Sequence, residues 1–262
     1  SDAYKDIATF LGGAEALTLS KPDMHSLHHR AIGFLHRSLD GRLRRRFVGA
    51  IKEYAETVIG PNAARPVPAA AEQPIRELNE QGYSVLPAID ADWADDIREH
   101  AAGTVMHNWA ADVAGPPDAL RADHNLALCS RPPLLTLPHI QAIATDPVVG
   151  AAVEQHLGAP PILLSIGLWC SFAGKQARDA QHFHFDLDDY RFCKLFIYLT
   201  DVDEDSGPHV YLPKTHDPDY ITAQRPEPGQ ARDAFDRWYF QDLRKQDADA
   251  IRHLKQDPIT LT

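Results

Sequence analysis

The stretch QHFHFDLDDYRFCKLFIYLTDVDEDSGPHVYLPKTH, residues 181–216, decides how this chain is read. Its opening HFHFD alternates in type. Along a strand, residues two apart point to the same face. His182, His184 and Asp186 then share one side, and Phe183 and Phe185 the other. Imidazoles and a carboxylate gathered on one face make a candidate metal site. Residues 191–202 and 209–213 are apolar, β-branched and aromatic, and read as further strands, with DEDSGP turning the chain before the last of them.

Working outward, PILLSIGLWCSF (161–172) and GYSVLP (82–87) also read as strands. Helices are expected elsewhere. In 26–58, Leu27, Phe34, Leu35, Leu39, Leu43, Phe47, Ile51, Tyr54 and Val58 recur at three- and four-residue steps. Residues 90–103 run from an Asp N-cap to a Gly stop, and 145–158 carry a cap, an early Pro and a terminal Gly. Residues 230–255 return to helix, and DPITLT at the end looks like a strand just beginning. The stretch 104–137 has little periodicity and several prolines, which suits an irregular segment lying over a binding site. Helices followed by strands joined by turns predict an α+β fold with an antiparallel sheet or barrel. About six strands are counted, where a closed jelly roll needs about eight. A chain that stops on a new strand looks cut short. The Pro- and Ala-rich 61–73 reads as a linker between a helical segment, 1–60, and a domain spanning 74–262.

The bulk numbers narrow the function. Thirty-seven acidic residues against twenty-six basic ones leave a net charge of -11, which argues against a general nucleic-acid binder. The run RLRRR (42–46) reads as a solvated helix face, with an anionic partner as the alternative. No apolar run is long enough for a membrane span, and SDAYKDIATFLGG lacks the pattern of a signal peptide. The missing starting Met suggests trimming. Cys129, Cys170 and Cys193 form no CxxC pair and read as reduced thiols of a cytoplasmic protein. Nucleotide-binding glycine loops and nucleophile elbows are absent from the sequence.

His-x-Asp with a distant His is the ligand set of the 2-His-1-carboxylate facial triad, which leaves one face of an Fe(II) open. Alone the motif is weak, but its surroundings resemble the phytanoyl-CoA dioxygenase-like branch of the Fe(II)/2-oxoglutarate oxygenases. The likeness lies in Phe183 before His184-Phe185-Asp186, the turn YLTDVD (198–203), and GP followed by LPKTH (212–216), where Lys214 takes a place usually held by Gly. LNEQGYSVLPAIDADWADDIREHA (78–101) looks like the family's opening strand and helix, so the resemblance covers roughly 74–262. It implies that His184 and Asp186 are metal ligands and catalytic, with His182 beside the site rather than on the metal. It also implies a double-stranded β-helix (jelly roll) core with flanking helices, its last strands missing from this sequence, together with the cofactors Fe(II) and 2-oxoglutarate, molecular oxygen, and a small organic substrate. Related halogenases carry Gly or Ala where Asp186 stands, so its presence implies hydroxylation rather than halogenation. The third ligand and the cation for the keto acid should follow on a late strand, beyond Thr262. His209 or His216 taking over is the weaker option, and His253 lies in an expected helix. The far carboxylate of the keto acid needs a cation. Lys194, in the apolar FCKLFIYL, is the candidate, against a reading in which it reaches out to water.

Two rivals remain. In a cupin, His182, His184, an acid such as Asp188, and His216 would hold the metal. A non-catalytic binding protein on the same barrel would also show an incomplete triad.

Overall fold

In the computed structural model, the described residues are 32, 41–59, 66–108, 113–120, 126–130, 136–172, 181–186, 188–239 and 247–261. The chain forms two compact units, crossing between them at 62/63, 183/184, 193/194, 216/217 and 242/243.

The first unit holds α1 (Gly41–Ile59), residues 184–193, α7 (Pro218–Gln224) and α8 (Gln230–Arg237). Ile32, Ile221, Phe235 and Trp238 are its buried apolar residues. Burying a side chain as large as Phe235 stabilises by about 1.5–3 kcal/mol. Asp217 caps α7 by accepting from Asp219 N–H. The Arg225 guanidinium forks onto both Asp236 oxygens, and that hydrogen bonding holds its charged form more firmly than usual. Arg45 of α1 pairs with Asp219 of α7.

The second unit opens with a 3-10 turn at Ala69–Ala71 and α2 (Glu72–Gln81), followed by α3 (Ala91–Ala102). Local chemistry explains where these helices begin and stop. The Asp90 carboxylate accepts from Asp92 N–H at the start of α3. Asp146 accepts from Val148 and Val149 N–H and Pro147 opens α6 (Pro147–Leu157), which Gly158 ends in the left-handed region at φ 73°. The sheet follows β2-β1-β3-β4, all antiparallel: β1 (Met106–Asn108), β2 (Val113–Gly115), β3 (Leu126–Ser130) and β4 (Gly167–Ser171). His107 stands opposite Ala114 and Leu128, and Leu128 opposite Trp169. Between these strands lie α4 (Pro117–Leu120) and α5 (Ile140–Ala144). Ile97, Met106, Leu120, Leu137, Ile143, Leu168 and Phe172 form the core under this sheet. Later, β5 (His209–Tyr211) pairs with β6 (Ile259–Leu261), and α9 (Asp247–Leu254) precedes β6.

This mixture of helices and short antiparallel sheets agrees with the α+β expectation, and the strand expected at the end is β6. The detail differs in four places. Residues 82–87, 181–186 and 191–202 carry no regular strand where described, because a strand exists only with a partner to take its N–H and C=O groups. The run 161–172 pairs only over β4, which leaves Ile162, Leu163 and Leu164 exposed. The stretch 104–137, expected to be irregular, supplies β1, β2, α4 and β3; 109–112, 121–125 and 131–135 lie outside the described residues. The helix expected over 230–255 is two helices, α8 and α9, with 240–246 outside the described residues. Of the helix expected over 26–58, 26–31 and 33–40 are likewise outside them. No helix of the described residues is long and apolar enough to cross a membrane.

The LPKTH turn packs on the end of α2. Lys214 N–H donates to Gln81 C=O at 2.8 Å, and Lys214 sits at φ 66°. That left-handed conformation explains why a Gly suits the position. Lys214→Gly is expected to stabilise the fold by about 0.5–1 kcal/mol, because relief of the Cβ clash outweighs the added freedom of the unfolded chain. Urea unfolding with an unchanged m-value would check it, and a destabilised variant would refute it.

Candidate metal centre

HFHFD spans the crossing between the two units at 183/184. On the first unit's side, His184 Nε2 lies 3.3 Å from Asp186 Oδ1. Phe185, between them, stacks on Tyr239 with ring centroids 5.3 Å apart and 20° between planes. Tyr239 in turn stacks on Phe235 at 6.2 Å, and Phe235 meets Trp238 edge-on at 5.4 Å. The alternation therefore acts without a sheet. The ring of Phe185 is held by the unit's aromatic cluster, and the two polar side chains on either side of it converge. Both are half-buried, at 22% and 34% exposure.

On the second unit's side, His182 Nδ1 lies 3.0 Å from Asp247 Oδ2, and Phe183 N–H donates to Asp247 Oδ1 at 2.7 Å. Lys194 belongs to this unit and is exposed, beside Leu195 and Phe196, which are exposed as well. Asp188 is exposed in the first unit.

The His184–Asp186 spacing suits a divalent metal. Two donors on neighbouring octahedral positions, each about 2.1 Å from the ion, stand about 3 Å apart. One neutral imidazole and one carboxylate are two of the three donors of a facial triad. Among the described residues, no group of three His, Cys, Asp or Glu side chains is gathered closely enough to complete the set.

The other histidines considered are all in the second unit. His209 packs its ring against Phe196 at 4.6 Å. His216 Nε2–H donates to Asn79 C=O at 3.2 Å, and its ring lies 6.1 Å from that of His156. His253 lies in α9, where Arg252 Nη2 approaches its Nε2 at 3.3 Å. An arginine only donates, so this Nε2 accepts and the ring is neutral. Burial first, and then the neighbouring Arg252 charge, holds the His253 imidazole below its usual range. The unfolded chain therefore takes up this proton first as pH falls. The stability held by the neutral ring is complete above about pH 6.5 and is lost as pH drops through the lower folded value. His253→Gln is expected to lose less stability than the parent between about pH 7 and pH 5, compared by urea titration at each pH. Equal losses would show that His253 does not carry the dependence.

Comparison with protein families, curated proteins and solved structures found no match for this chain.

Sequence reasoning missed Tyr239 in the first unit and Asp247 in the second. Asp247 falls inside the single helix expected over 230–255, although an acid in the first turn is a usual mark of a helix start. Tyr239 had no signal of its own, since an aromatic near the end of an amphipathic helix reads as ordinary core.

Proposed function

We propose that the protein is an Fe(II)/2-oxoglutarate-dependent dioxygenase built on a jelly-roll core, acting on a small organic molecule in the cytoplasm. The observation that carries this reading is the convergence of His184 and Asp186 at 3.3 Å while Phe185 between them stacks on Tyr239. His184 and Asp186 would hold the metal, and Lys194 would pair with the far carboxylate of the keto acid. When bound, iron and 2-oxoglutarate supply the oxidising chemistry, consuming oxygen and releasing succinate and carbon dioxide. The chain's own part is to hold the ion, offset some of its charge with the Asp186 carboxylate, and orient the donors. With a carboxylate at 186, hydroxylation is the reaction class.

Anaerobic titration with Fe(II) and then 2-oxoglutarate tests the assignment. The expected result is a weak visible charge-transfer band that requires both additions. A silent titration would remove the cofactor assignment. Absence of succinate release stimulated by any of a broad panel of substrates would remove the hydroxylase reading.

One contact favours a second reading, a cupin-type metalloenzyme with His182 and His184 as ligands. Metal-binding histidines usually donate their other ring N–H to a carboxylate or carbonyl, and His182 Nδ1 faces Asp247. His182→Ala separates the two. Metal affinity within about threefold of the parent is expected under the oxygenase reading, and loss of about a hundredfold or more under the cupin reading.

A further inference from the structure

Along α1, Phe47, Ile51 and Tyr54 follow one another at steps of four and three, so they form one stripe. They are 38%, 40% and 70% exposed. Phe47 is partly covered by Tyr190, with ring centroids 5.0 Å apart. Arg45 stands about 160° around the helix from Phe47 and pairs with Asp219 of α7. The helix thus turns a polar side to its own unit and an apolar stripe outward.

The charges run against the helix as well. Arg42, Arg44, Arg45, Arg46 and Lys52 lie within 41–52 with no acid among them, in a chain of net charge -11. No acid occupies the first turn of α1. Cations at that end oppose the helix dipole, and like charges three and four residues apart repel. An anion placed there would relieve both costs. Arg45–Asp219 and Lys52–Glu56 are exposed pairs, which hold little energy. A solvated face would account for the arginines, but not for the stripe beside them.

We propose that α1 docks on an anionic lipid surface. Phe47, Ile51 and Tyr54 enter the boundary between headgroups and acyl chains, and the arginines meet the headgroup anions. A stable protein interface buries about 800 Å² on each partner. A whole aromatic side chain supplies about 150–250 Å², so these three partly covered residues fall short of it. A lipid surface needs neither that area nor a complementary shape. The same shortage argues against a second copy, which would bring its own arginines to a place already crowded with them. None of these residues belongs to the proposed metal centre, so the two assignments stand or fall separately.

The test is co-sedimentation of the full chain with vesicles of phosphatidylcholine alone and of phosphatidylcholine mixed with phosphatidylserine. Binding is expected on the mixed vesicles, at least about tenfold weaker without the serine lipid. It should be lost in about 0.5 M salt, where exposed charges are screened. Arg42→Gln with Arg46→Gln is expected to weaken binding about 25-fold, about fivefold for each cation removed from an anionic surface. Ile51→Ser with Tyr54→Ser is expected to weaken it about tenfold or more, through lost apolar burial. All four side chains are exposed, so both variants should fold, which circular dichroism checks. Tyr54→Trp adds a reporter of insertion, and brominated lipid should quench its emission beyond that of the parent.

No binding of the parent to the mixed vesicles overturns the proposal. So does parent-like binding by either folded double variant, because one half of the contact then lies elsewhere. A parent that ignores vesicles but dimerises in analytical ultracentrifugation, and loses the dimer in Ile51→Ser with Tyr54→Ser, assigns the stripe to a second copy instead. One that ignores vesicles but binds polyglutamate through Arg42 and Arg46 assigns the helix to an acidic polypeptide.

Discussion

Asp186→Ala is expected to cost at least a hundredfold in divalent-metal affinity and to abolish succinate release. The carboxylate is one of two donors that the described residues bring together, and it is the one that would offset the charge of a bound ion. Partners outside the ligand set are worth about 10–100-fold, so removing a ligand should exceed that. The fold should survive. Asp186 is a third exposed, and the aromatic contacts that anchor this segment belong to Phe185, not to Asp186. Mn(II) titration beside a far-ultraviolet circular dichroism spectrum checks both halves. A folded variant with parent-like affinity would end the metal reading of HFHFD.

Gly82→Ala is expected to destabilise the protein by about 2–4 kcal/mol. Gly82 ends α2 in the left-handed region, at φ 86°, with its N–H donating to Leu78 C=O. A Cβ placed there would overlap Tyr211 Oη and the His216 ring. The left-handed conformation costs a residue with a side chain about 1 kcal/mol. Forcing an atom into a packed contact costs about 1–3 kcal/mol more. Neither neighbour can easily give way. His216 Nε2–H is held by Asn79 C=O, and the Tyr211 ring lies 5.6 Å from that of Tyr83. Urea unfolding measures the loss, and a change below about 1 kcal/mol would show that the turn yields without strain.

How much could be read in advance depended on the range of the interaction. The ends of α3 and α6 were legible because Asp90, Asp146 and Gly158 act on atoms within a few residues of themselves. His184 and Asp186 meet at 3.3 Å two positions apart, but 181–186 is not a strand, so the same-face rule of a strand is not what brings them together. Strands were harder. An apolar, β-branched run such as 191–202 reports a demand for burial, while a strand also needs a partner that the run does not name. Asp247 was out of reach, because nothing near it in sequence indicates a bond to residues 182 and 183. Lys214 shows an intermediate case. Its departure from the usual Gly was visible, but the reason is the φ of 66° at that turn.

Ile162, Leu163 and Leu164 stand 89%, 61% and 68% exposed, just before β4, which is an edge strand of its sheet among the described residues. From Ala159 to Phe172 the chain carries no charged residue. Proteins usually blunt such places with a lysine, a bulge or a short edge, because an uncharged apolar run beside open backbone groups is a template on which other chains can lay down. Here only Pro160 and Pro161 act as gatekeepers, both on the N-terminal side. Among the described residues, this fourteen-residue window is where association between copies would start, and its hazard grows with concentration.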